Sequence, residues 1–224
     1  MGSEQPVRHP LFARFFDRFA AKDEERGQAE VRRELLAGLS GRVIEVGAGN
    51  GLNFPHYPRE VEELVAVEPE AYLRERAVQA ARATPVPVRV LDGVAGALPA
   101  QDASFDAAVV SGVLCSVPDQ GAALADLRRV LRPGGELRFY EHVRGRNRVR
   151  ARFQDAVALV WPRLMGGCHP NRDTLPAIER AGYAVESCRG FKFPPSARFS
   201  PVSPRVLGVA RTSEASPATG RGGR

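Results

Sequence analysis

The chain has 224 residues, of which 43% are hydrophobic, and a formal charge of +6 at neutral pH. This length fits one α/β domain with a substantial core, and no apolar run approaches the length that spans a membrane. The first ten residues are polar and lack the apolar core of a signal peptide, so we expect a cytoplasmic protein.

Arginine supplies almost all of the positive charge, since Lys22 and Lys192 are the only lysines. The densest basic stretch, residues 144–152, has no aromatic side chains between its arginines, whereas surfaces that bind single-stranded nucleic acid combine the two. We therefore interpret this stretch as a solvated loop and helix start, and we expect no nucleic-acid partner.

Three cysteines occur, Cys115, Cys168 and Cys188, and no paired spacing connects them. A sparse, odd set argues against a disulfide framework and against a structural zinc site. Histidines, cysteines and carboxylates also form no group at the sequence spacing that metal ligands usually show. The sequence therefore predicts three buried thiols and no bound metal.

The N-terminal region predicts two helices, the second over residues 24–39. Five apolar residues at helical spacing give the first helix one strongly apolar face: Leu11, Phe12, Phe15, Phe16 and Phe19. This face fits packing against the core, a lid over a binding site, or contact with a membrane surface. The sequence leaves these three interpretations open.

Short apolar runs alternate with helical segments in the rest of the chain. Strands are predicted over residues 43–46, 64–67, 86–91, 107–110 and 137–140. Helices are predicted over residues 71–83, 119–130, 153–164 and 174–181. This alternation predicts a parallel, doubly wound α/β sheet. Two late strands, residues 184–189 and 206–210, have no helix between them, which predicts an antiparallel hairpin at one sheet edge.

A glycine-rich turn, residues 45–51 (EVGAGNG), follows the first predicted strand. Glycines let the backbone turn sharply and approach a ligand that a side chain would exclude. In an open parallel sheet this turn lies at the carboxyl edge of the strands, where ligands bind. Glu68 ends the second predicted strand, nineteen residues after Gly49, and its carboxylate can accept hydrogen bonds from both hydroxyls of a ribose. The pattern predicts a nucleoside-binding site.

Two kinds of cofactor compete for this turn. The dinucleotide fingerprint G-x-G-x-x-G requires glycine at position 52, where this chain has Leu52. The acidic Glu45 would also repel a phosphate, whereas it suits a cofactor with a cationic amino-acid portion and no pyrophosphate. An NAD-dependent reductase is therefore the less favoured alternative.

Residues 31–211 resemble the class I S-adenosylmethionine (SAM)-dependent methyltransferases. Four segments are similar to the branch with the ubiquinone/menaquinone C-methyltransferases: residues 92–93, 98–99, 104–106 and 127–135. Four others resemble the methyltransferase-like thiol methyltransferases and their bacterial relatives: residues 51–58, 113–117, 141–143 and 166–169.

The resemblance implies a single Rossmann-like, seven-stranded, mostly parallel sheet of order 3-2-1-4-5-7-6, with strand 7 antiparallel and helices on both faces. Residues 41–211 would form the SAM-binding domain. Residues 1–40 would supply helices that cap the cofactor and acceptor site. The small, polar, glycine-rich residues 212–224 predict a disordered tail.

The resemblance also assigns cofactor contacts to the turns that follow the first four strands. The methionine portion would contact Glu45, Gly47, Ala48, Gly49 and Asn50. The ribose would contact Glu68 and the adjoining Pro69. The adenine would contact Gly93 and Val94, and the sulfonium would lie beside Ser111 and Gly112.

Two histidines are candidate catalytic residues. His142, beside Glu141 at the end of the fifth predicted strand, is placed to act as a general base, although a structural histidine fits the position equally. His169 is the candidate for lining the acceptor pocket. The predicted reaction transfers a methyl group from SAM to a small, lipophilic thiol, quinone-type ring or hydroxyl, leaving S-adenosylhomocysteine. A non-catalytic SAM-binding module stays an alternative, and we expect a monomer or homodimer.

Overall fold

The computed structural model describes residues 13–18, 24–195, 197 and 199–213. Seven strands occur in chain order: β1 (Gly41–Val46), β2 (Val61–Val67), β3 (Val88–Leu91), β4 (Phe105–Ser111), β5 (Leu131–His142), β6 (Tyr183–Lys192) and β7 (Pro204–Thr212). The α-helices after residue 24 are α1 (Ala29–Leu36), α2 (Ala71–Ala81), α3 (Gln120–Val130), α4 (Arg148–Val157), α5 (Trp161–Leu164) and α6 (Thr174–Arg180). Residues 13–18 are also helical.

The strands form one sheet of order β3-β2-β1-β4-β5-β7-β6. Strands β1 to β5 pair in parallel with their neighbours in this order, whereas β7 is antiparallel to both β5 and β6. The predicted order, the antiparallel seventh strand and the edge hairpin are confirmed. The carboxyl ends of the five parallel strands therefore share one edge of the sheet, where a doubly wound fold binds its ligand.

Successive side chains of the central strands enter two separate hydrophobic cores, because side chains alternate across a sheet. Ile44 and Val65 belong to the core that includes Leu124 and Leu127 of α3. Val43 and Leu64 belong to the opposite core, which includes Leu35 of α1. The sheet thus carries helices on both faces, as predicted.

Side-chain caps determine where three helices begin. Asp119 Oδ1 accepts hydrogen bonds from the Gly121 and Ala122 amides, at 2.7 and 3.1 Å, just ahead of α3. The Glu70 carboxylate caps α2 and the Asn147 side chain caps α4 in the same way. Each side chain satisfies an amide that has no partner within the helix.

Two predicted helices differ from the structure. The segment predicted as one helix over residues 24–39 is kinked within Glu24–Gln28, where Gly27 has a non-helical φ of 102°, and the regular helix α1 begins only at Ala29. The helix predicted over residues 153–164 begins earlier, at Arg148, and is interrupted after Val157. The chain resumes a helix at α5, whose first turn contains a proline that needs no amide partner there.

Two further expectations need correction. Cys188 is exposed rather than buried, since it lies on β6 at the edge of the sheet. Thr212 belongs to β7 rather than to a tail: it pairs with Tyr183 and its hydroxyl donates to the Arg132 carbonyl at 3.0 Å. Residues 214–224, together with Leu11, Phe12 and Phe19 of the predicted apolar face, lie outside the described residues. Within the described part of the chain, no helix is both long and apolar enough to cross a membrane.

Candidate functional site

The glycine turn after β1 has the backbone geometry that its sequence predicts. Gly47, Gly49 and Gly51 have φ values of 70°, 58° and 84°, a region that other residues rarely adopt. The amides of Gly47 and Ala48 donate to the Val67 carbonyl at 2.8 and 3.1 Å, which joins the turn to the end of β2. A Cβ on Gly51 would lie 2.8 Å from the Phe54 ring, so glycine is required there for packing as well.

Glu68 closes the same turn from the end of β2. Its Oε2 accepts the Gly49 amide at 2.8 Å, and its Oε1 accepts the Glu70 amide at 2.9 Å. Burial raises the pKa of this carboxyl, although the two amides oppose the shift. Each carboxylate oxygen can accept more than one hydrogen bond, so both oxygens keep capacity for the hydroxyls of a ribose. Pro69 follows directly, and its carbonyl accepts a hydrogen bond from Arg74 at 3.0 Å.

Glu45 lies at the end of β1 and is 1% exposed. The Asn53 side chain donates to Oε1 at 2.6 Å and the Tyr57 hydroxyl donates to Oε2 at 2.9 Å. Burial raises the pKa of Glu45 to about 7, although these hydrogen bonds oppose the shift. The sequence did not reveal Asn53 and Tyr57 as partners of Glu45; the only signal was their place in the segment 51–58 that resembles thiol methyltransferases.

The turns after β3 and β4 complete this edge of the sheet. Gly93 packs tightly, since a Cβ there would lie 2.8 Å from Pro99 and 2.9 Å from Val67. Val94, next to it, forms an isolated bridge with Ala97. Ser111 is the last residue of β4.

Gly112 follows Ser111 with a φ of 71°, and its amide donates to the Tyr140 carbonyl at 2.8 Å. Among the described residues, apart from Gly112 and its two chain neighbours, no heavy atom lies within 4 Å of the position that a Gly112 Cβ would take. With respect to that part of the chain, the backbone at Gly112 borders open space at the carboxyl edge of the sheet.

The N-terminal segment, residues 13–18, lies against the glycine turn. Asp17 accepts hydrogen bonds from the Asn50 side chain at 2.8 Å and from the Tyr72 hydroxyl at 3.1 Å, and it pairs with Arg76 at 3.3 Å. The Phe16 ring is 3.4 Å from the position that a Cβ on Gly49 would occupy. One face of this helix is therefore attached to the turn that the sequence assigns to the cofactor.

Glu141, on the other side of the site, organises the loop after β4. It is fully buried, and its carboxylate accepts the amides of Val113 at 2.9 Å, Leu114 at 3.0 Å and Cys115 at 3.2 Å. Burial raises the pKa of Glu141 to about 7 against the effect of these three donors. The sequence indicated Glu141 only as the neighbour of His142, because the loop it holds lies more than twenty residues away in the chain.

His142 ends β5 and lies between two cysteines. Its Nδ1 is 3.5 Å from Cys115 Sγ and 3.4 Å from Cys168 Sγ, and the two sulfurs are 3.8 Å apart. Burial and the positive charge of Arg205 lower the pKa of His142. Hydrogen bonding with Cys115 and with His142 lowers the pKa of the Cys168 thiol, whereas hydrogen bonding with Cys168 and burial raise the pKa of the Cys115 thiol. The sequence missed this group because its members come from three separate segments.

The His169 ring contacts a backbone carbonyl of its own loop. Its Nδ1 is 2.7 Å from the Gly167 carbonyl, and its backbone amide donates to the Cys115 carbonyl at 2.8 Å. The residue thus connects the segment before α6 to the loop after β4, and it carries the adjoining Cys168 into the site.

The chain is similar to known methyltransferases. A family described as a methyltransferase domain matches residues 44–139, from β1 into β5. The chain is 32% identical to mouse thiol S-methyltransferase TMT1B over 228 aligned positions, covering 94% of this chain and 89% of that protein. It is also 32% identical to human thiol S-methyltransferase TMT1A, covering 89% of this chain and 85% of that protein.

Solved structures of methyltransferases have a similar fold. The crystal structure of a SAM-dependent methyltransferase from Thermotoga maritima has a TM-score of 0.63 at 22% identity, covering 88% of this chain and 98% of that one. The comparisons give no support to an NAD-dependent reductase or to a non-catalytic SAM-binding module. The glycine turn, the Glu68 carboxylate and the open backbone at Gly112 fit SAM by their chemistry. The chain therefore belongs to the class I SAM-dependent methyltransferases, in the family that includes these thiol S-methyltransferases, and it methylates a small molecule.

Proposed function

We propose that this chain transfers the methyl group of SAM to the sulfur of a small, lipophilic thiol. The observation that carries this acceptor class is the similarity, over 94% of the chain, to a protein named thiol S-methyltransferase. The segments that surround the acceptor side, residues 113–117, 141–143 and 166–169, are also those that resemble thiol methyltransferases in sequence. A quinone-type ring and a hydroxyl are the competing acceptors.

The residues after β1 to β4 hold the cofactor in this proposal. Glu68 accepts the ribose hydroxyls, while Glu45 provides negative charge for the amino group of the methionine portion. Gly47, Ala48, Gly49 and Asn50 contact the rest of that portion through the turn. Gly93 and Val94 contact the adenine, and Ser111 and Gly112 lie beside the sulfonium. When bound, SAM supplies an electrophilic methyl group on a good leaving group.

We also propose that residues 1–40 cap this site. Asp17 supports that role through its hydrogen bonds with Asn50 and Tyr72, which attach the helix to the cofactor turn. A cap benefits methyl transfer because it excludes water from the sulfonium.

The acceptor side lies next to Gly112. Cys115 Sγ is 3.4 Å from the Gly112 carbonyl, so the group with His142 adjoins the position assigned to the sulfonium. The chain contributes mainly by aligning the acceptor sulfur with the methyl carbon for in-line displacement. A thiol requires little help to ionise, since its ordinary pKa is about 8.5. His142 acts on the acceptor side, whereas His169 positions the loop that carries Cys168.

Exposed apolar side chains support a lipophilic acceptor. Leu159, Val160 and Leu164 are 75%, 55% and 67% exposed and flank Trp161 in α5. The Cys168 amide donates to the Met165 carbonyl at 3.0 Å, directly after α5, so this apolar segment adjoins the acceptor side. A hydrocarbon chain that enters beside α5 would bury these side chains.

A matched set of acceptors tests the proposal. The purified chain is incubated with SAM and 1-octanethiol, 1-octanol, 2-mercaptoethanol or hydroquinone, and products are identified by mass spectrometry. We expect methyl transfer to 1-octanethiol, less to 2-mercaptoethanol, and none to the alcohol of equal chain length. Turnover of the alcohol or the hydroquinone without turnover of either thiol would contradict a thiol acceptor.

Compartment and assembly stay predictions. We expect the cytoplasm, with any membrane contact limited to the surface, and a monomer or homodimer that does not bind nucleic acid. Cell fractionation tests the compartment, and light scattering tests the state of assembly. A gel-shift assay with duplex and single-stranded DNA tests whether the chain binds nucleic acid.

A further inference from the structure

Cys115, His142 and Cys168 converge from three parts of the fold. Cys115 lies in the loop after β4, His142 ends β5, and Cys168 lies between α5 and α6. Their three ligand atoms lie within 4.8 Å of one another. Cys115 is completely buried and Cys168 is 6% exposed, whereas His142 is half-buried. Two thiols and one imidazole are thus gathered beside the open backbone of Gly112.

The distances within this group match a tetrahedral coordination sphere. In zinc sites Zn–S bonds are about 2.3 Å and Zn–N bonds about 2.0–2.1 Å long. At tetrahedral angles, these lengths place two sulfur ligands about 3.8 Å apart and a sulfur and a nitrogen ligand about 3.5 Å apart. The observed Sγ–Sγ distance is 3.8 Å, and the two Sγ–Nδ1 distances are 3.5 and 3.4 Å. One ion can therefore contact all three atoms without rearrangement of the backbone.

The surroundings hold the ligands in place. Cys115 is fixed through its amide by Glu141 and through its carbonyl by the His169 amide. The Cys168 amide donates to the Met165 carbonyl at 3.0 Å, next to α5, where the buried Trp161 indole N–H has no hydrogen-bond partner within the described residues. Donors of this kind commonly orient metal-bound ligands. Two thiolates would also balance the charge of a buried divalent cation.

We propose that Cys115, His142 and Cys168 bind a zinc-class divalent ion, and that its fourth coordination position, on the side of Gly112, receives the sulfur of the acceptor. Catalytic zinc sites have three protein ligands and leave one position for water or substrate, whereas structural zinc sites have four protein ligands. The identity of the fourth ligand rests on the proposed function, whereas the ion site itself does not.

Methyl transfer at this site has two steps, coordination of the thiol and displacement at the methyl carbon. The acceptor thiol loses its proton to solvent as its sulfur coordinates the ion. That sulfur then forms a bond to the methyl carbon of SAM while the bond from the methyl carbon to the sulfonium sulfur breaks. The products are a methyl thioether, which leaves the ion, and neutral S-adenosylhomocysteine. His142 is then a ligand of the ion and not a base.

Metal analysis of the full chain tests the ion site. The protein is purified with reductant and excess zinc, dialysed, and analysed by mass spectrometry for metal content; a cobalt-substituted sample is examined for thiolate–cobalt absorption. We expect about one ion per chain. Cys115→Ala and Cys168→Ala should lose it, and Cys188→Ser, which removes an exposed thiol, should keep it. Cys168→His supplies another ligand of the same class and should retain the ion.

The outcomes separate the two proposals. A wild-type chain that binds neither zinc nor cobalt overturns the ion site, even if 1-octanethiol is methylated. Equal metal content in wild type and in well-folded Cys168→Ala would also overturn it. Addition of 1-octanethiol should change the cobalt spectrum, and an unchanged spectrum would overturn the open position. If the ion binds and the spectrum changes but no thiol is methylated, the ion site stands and the proposed function fails.

Discussion

Asn53 donates a hydrogen bond of 2.6 Å to Glu45, the carboxylate at the end of the first strand of a SAM-binding sheet. Arg32 in turn donates to Oδ1 of the Asn53 side chain at 2.6 Å. These contacts hold Glu45 in one orientation, while burial raises its pKa to about 7. Glu45 therefore changes charge within the pH range in which the enzyme would be assayed.

Cofactor affinity should consequently depend on pH through Glu45. Its ionised fraction rises from about one tenth at pH 6 to about nine tenths at pH 8, so the affinity for the amino group of S-adenosylhomocysteine should rise by up to about tenfold. Calorimetry at several pH values measures this, and Glu45→Gln should give a flatter profile. The raised pKa of Glu45 also links folding to pH: its stabilising contribution is complete below pH 4.5 and is lost as the pH rises through about 7. At pH 8 the folded wild type therefore carries a buried charge that Glu45→Gln lacks, and the variant should be the more stable of the two. Identical affinity profiles would contradict the assignment.

Glu68→Ala should weaken cofactor binding by about 10- to 100-fold, because hydrogen bonds to a charged group contribute about 1.5–3 kcal/mol. The measurement is calorimetric titration with S-adenosylhomocysteine, at a temperature where a melting curve shows the variant to be folded. Glu62→Gln, an exposed change on the same strand, should leave the affinity unchanged. Wild-type affinity in Glu68→Ala would remove the ribose assignment.

Asp17→Ala should loosen the N-terminal cap. It removes an acceptor from Asn50 and Tyr72 and an ion pair with Arg76, and it should raise the dissociation constant of S-adenosylhomocysteine about three- to tenfold. The increase should come mainly from faster dissociation, measured by stopped-flow fluorescence. Arg18→Gln, at an exposed position of the same helix, is the control. An unchanged dissociation rate in Asp17→Ala would show that this helix does not retain the cofactor.

Glu141→Ala should destabilise the fold by about 3 kcal/mol or more, because three backbone amides lose their acceptor in a buried loop. Urea denaturation measures the free energy of unfolding. Glu186→Ala, which removes an exposed ion pair with Arg211, should cost about 1 kcal/mol or less. Losses of similar size in the two variants would show that Glu141 does not organise this loop.

Local sequence patterns predicted the glycine turn after β1 and a carboxylate beside it. The turn at Gly47–Gly49–Gly51 and the carboxylate of Glu68 lie on adjacent parallel strands, and their contact follows from the strand order alone. The break at Gly27 was not predicted because the surrounding residues favour a helix, and only the positive φ reveals it.

The group formed by Cys115, His142 and Cys168 could not be predicted in the same way. His142 is 27 residues from Cys115 and 26 from Cys168, and the two cysteines are 53 residues apart. Metal-ligand patterns are recognised in sequence when the ligands are close in the chain, whereas here the adjacency of β4 and β5 and the return of the loop before α6 create the group.

Identifying the atom that receives the methyl group shows whether the acceptor is a thiol sulfur. The chain is incubated with SAM carrying an isotopically labelled methyl group and with 1-octanethiol, and the product is examined by NMR. We expect the label in a methyl thioether, with one S-adenosylhomocysteine formed for each thioether. Label that stays in SAM with every thiol offered, or that enters only carbon or oxygen of another acceptor, would contradict it.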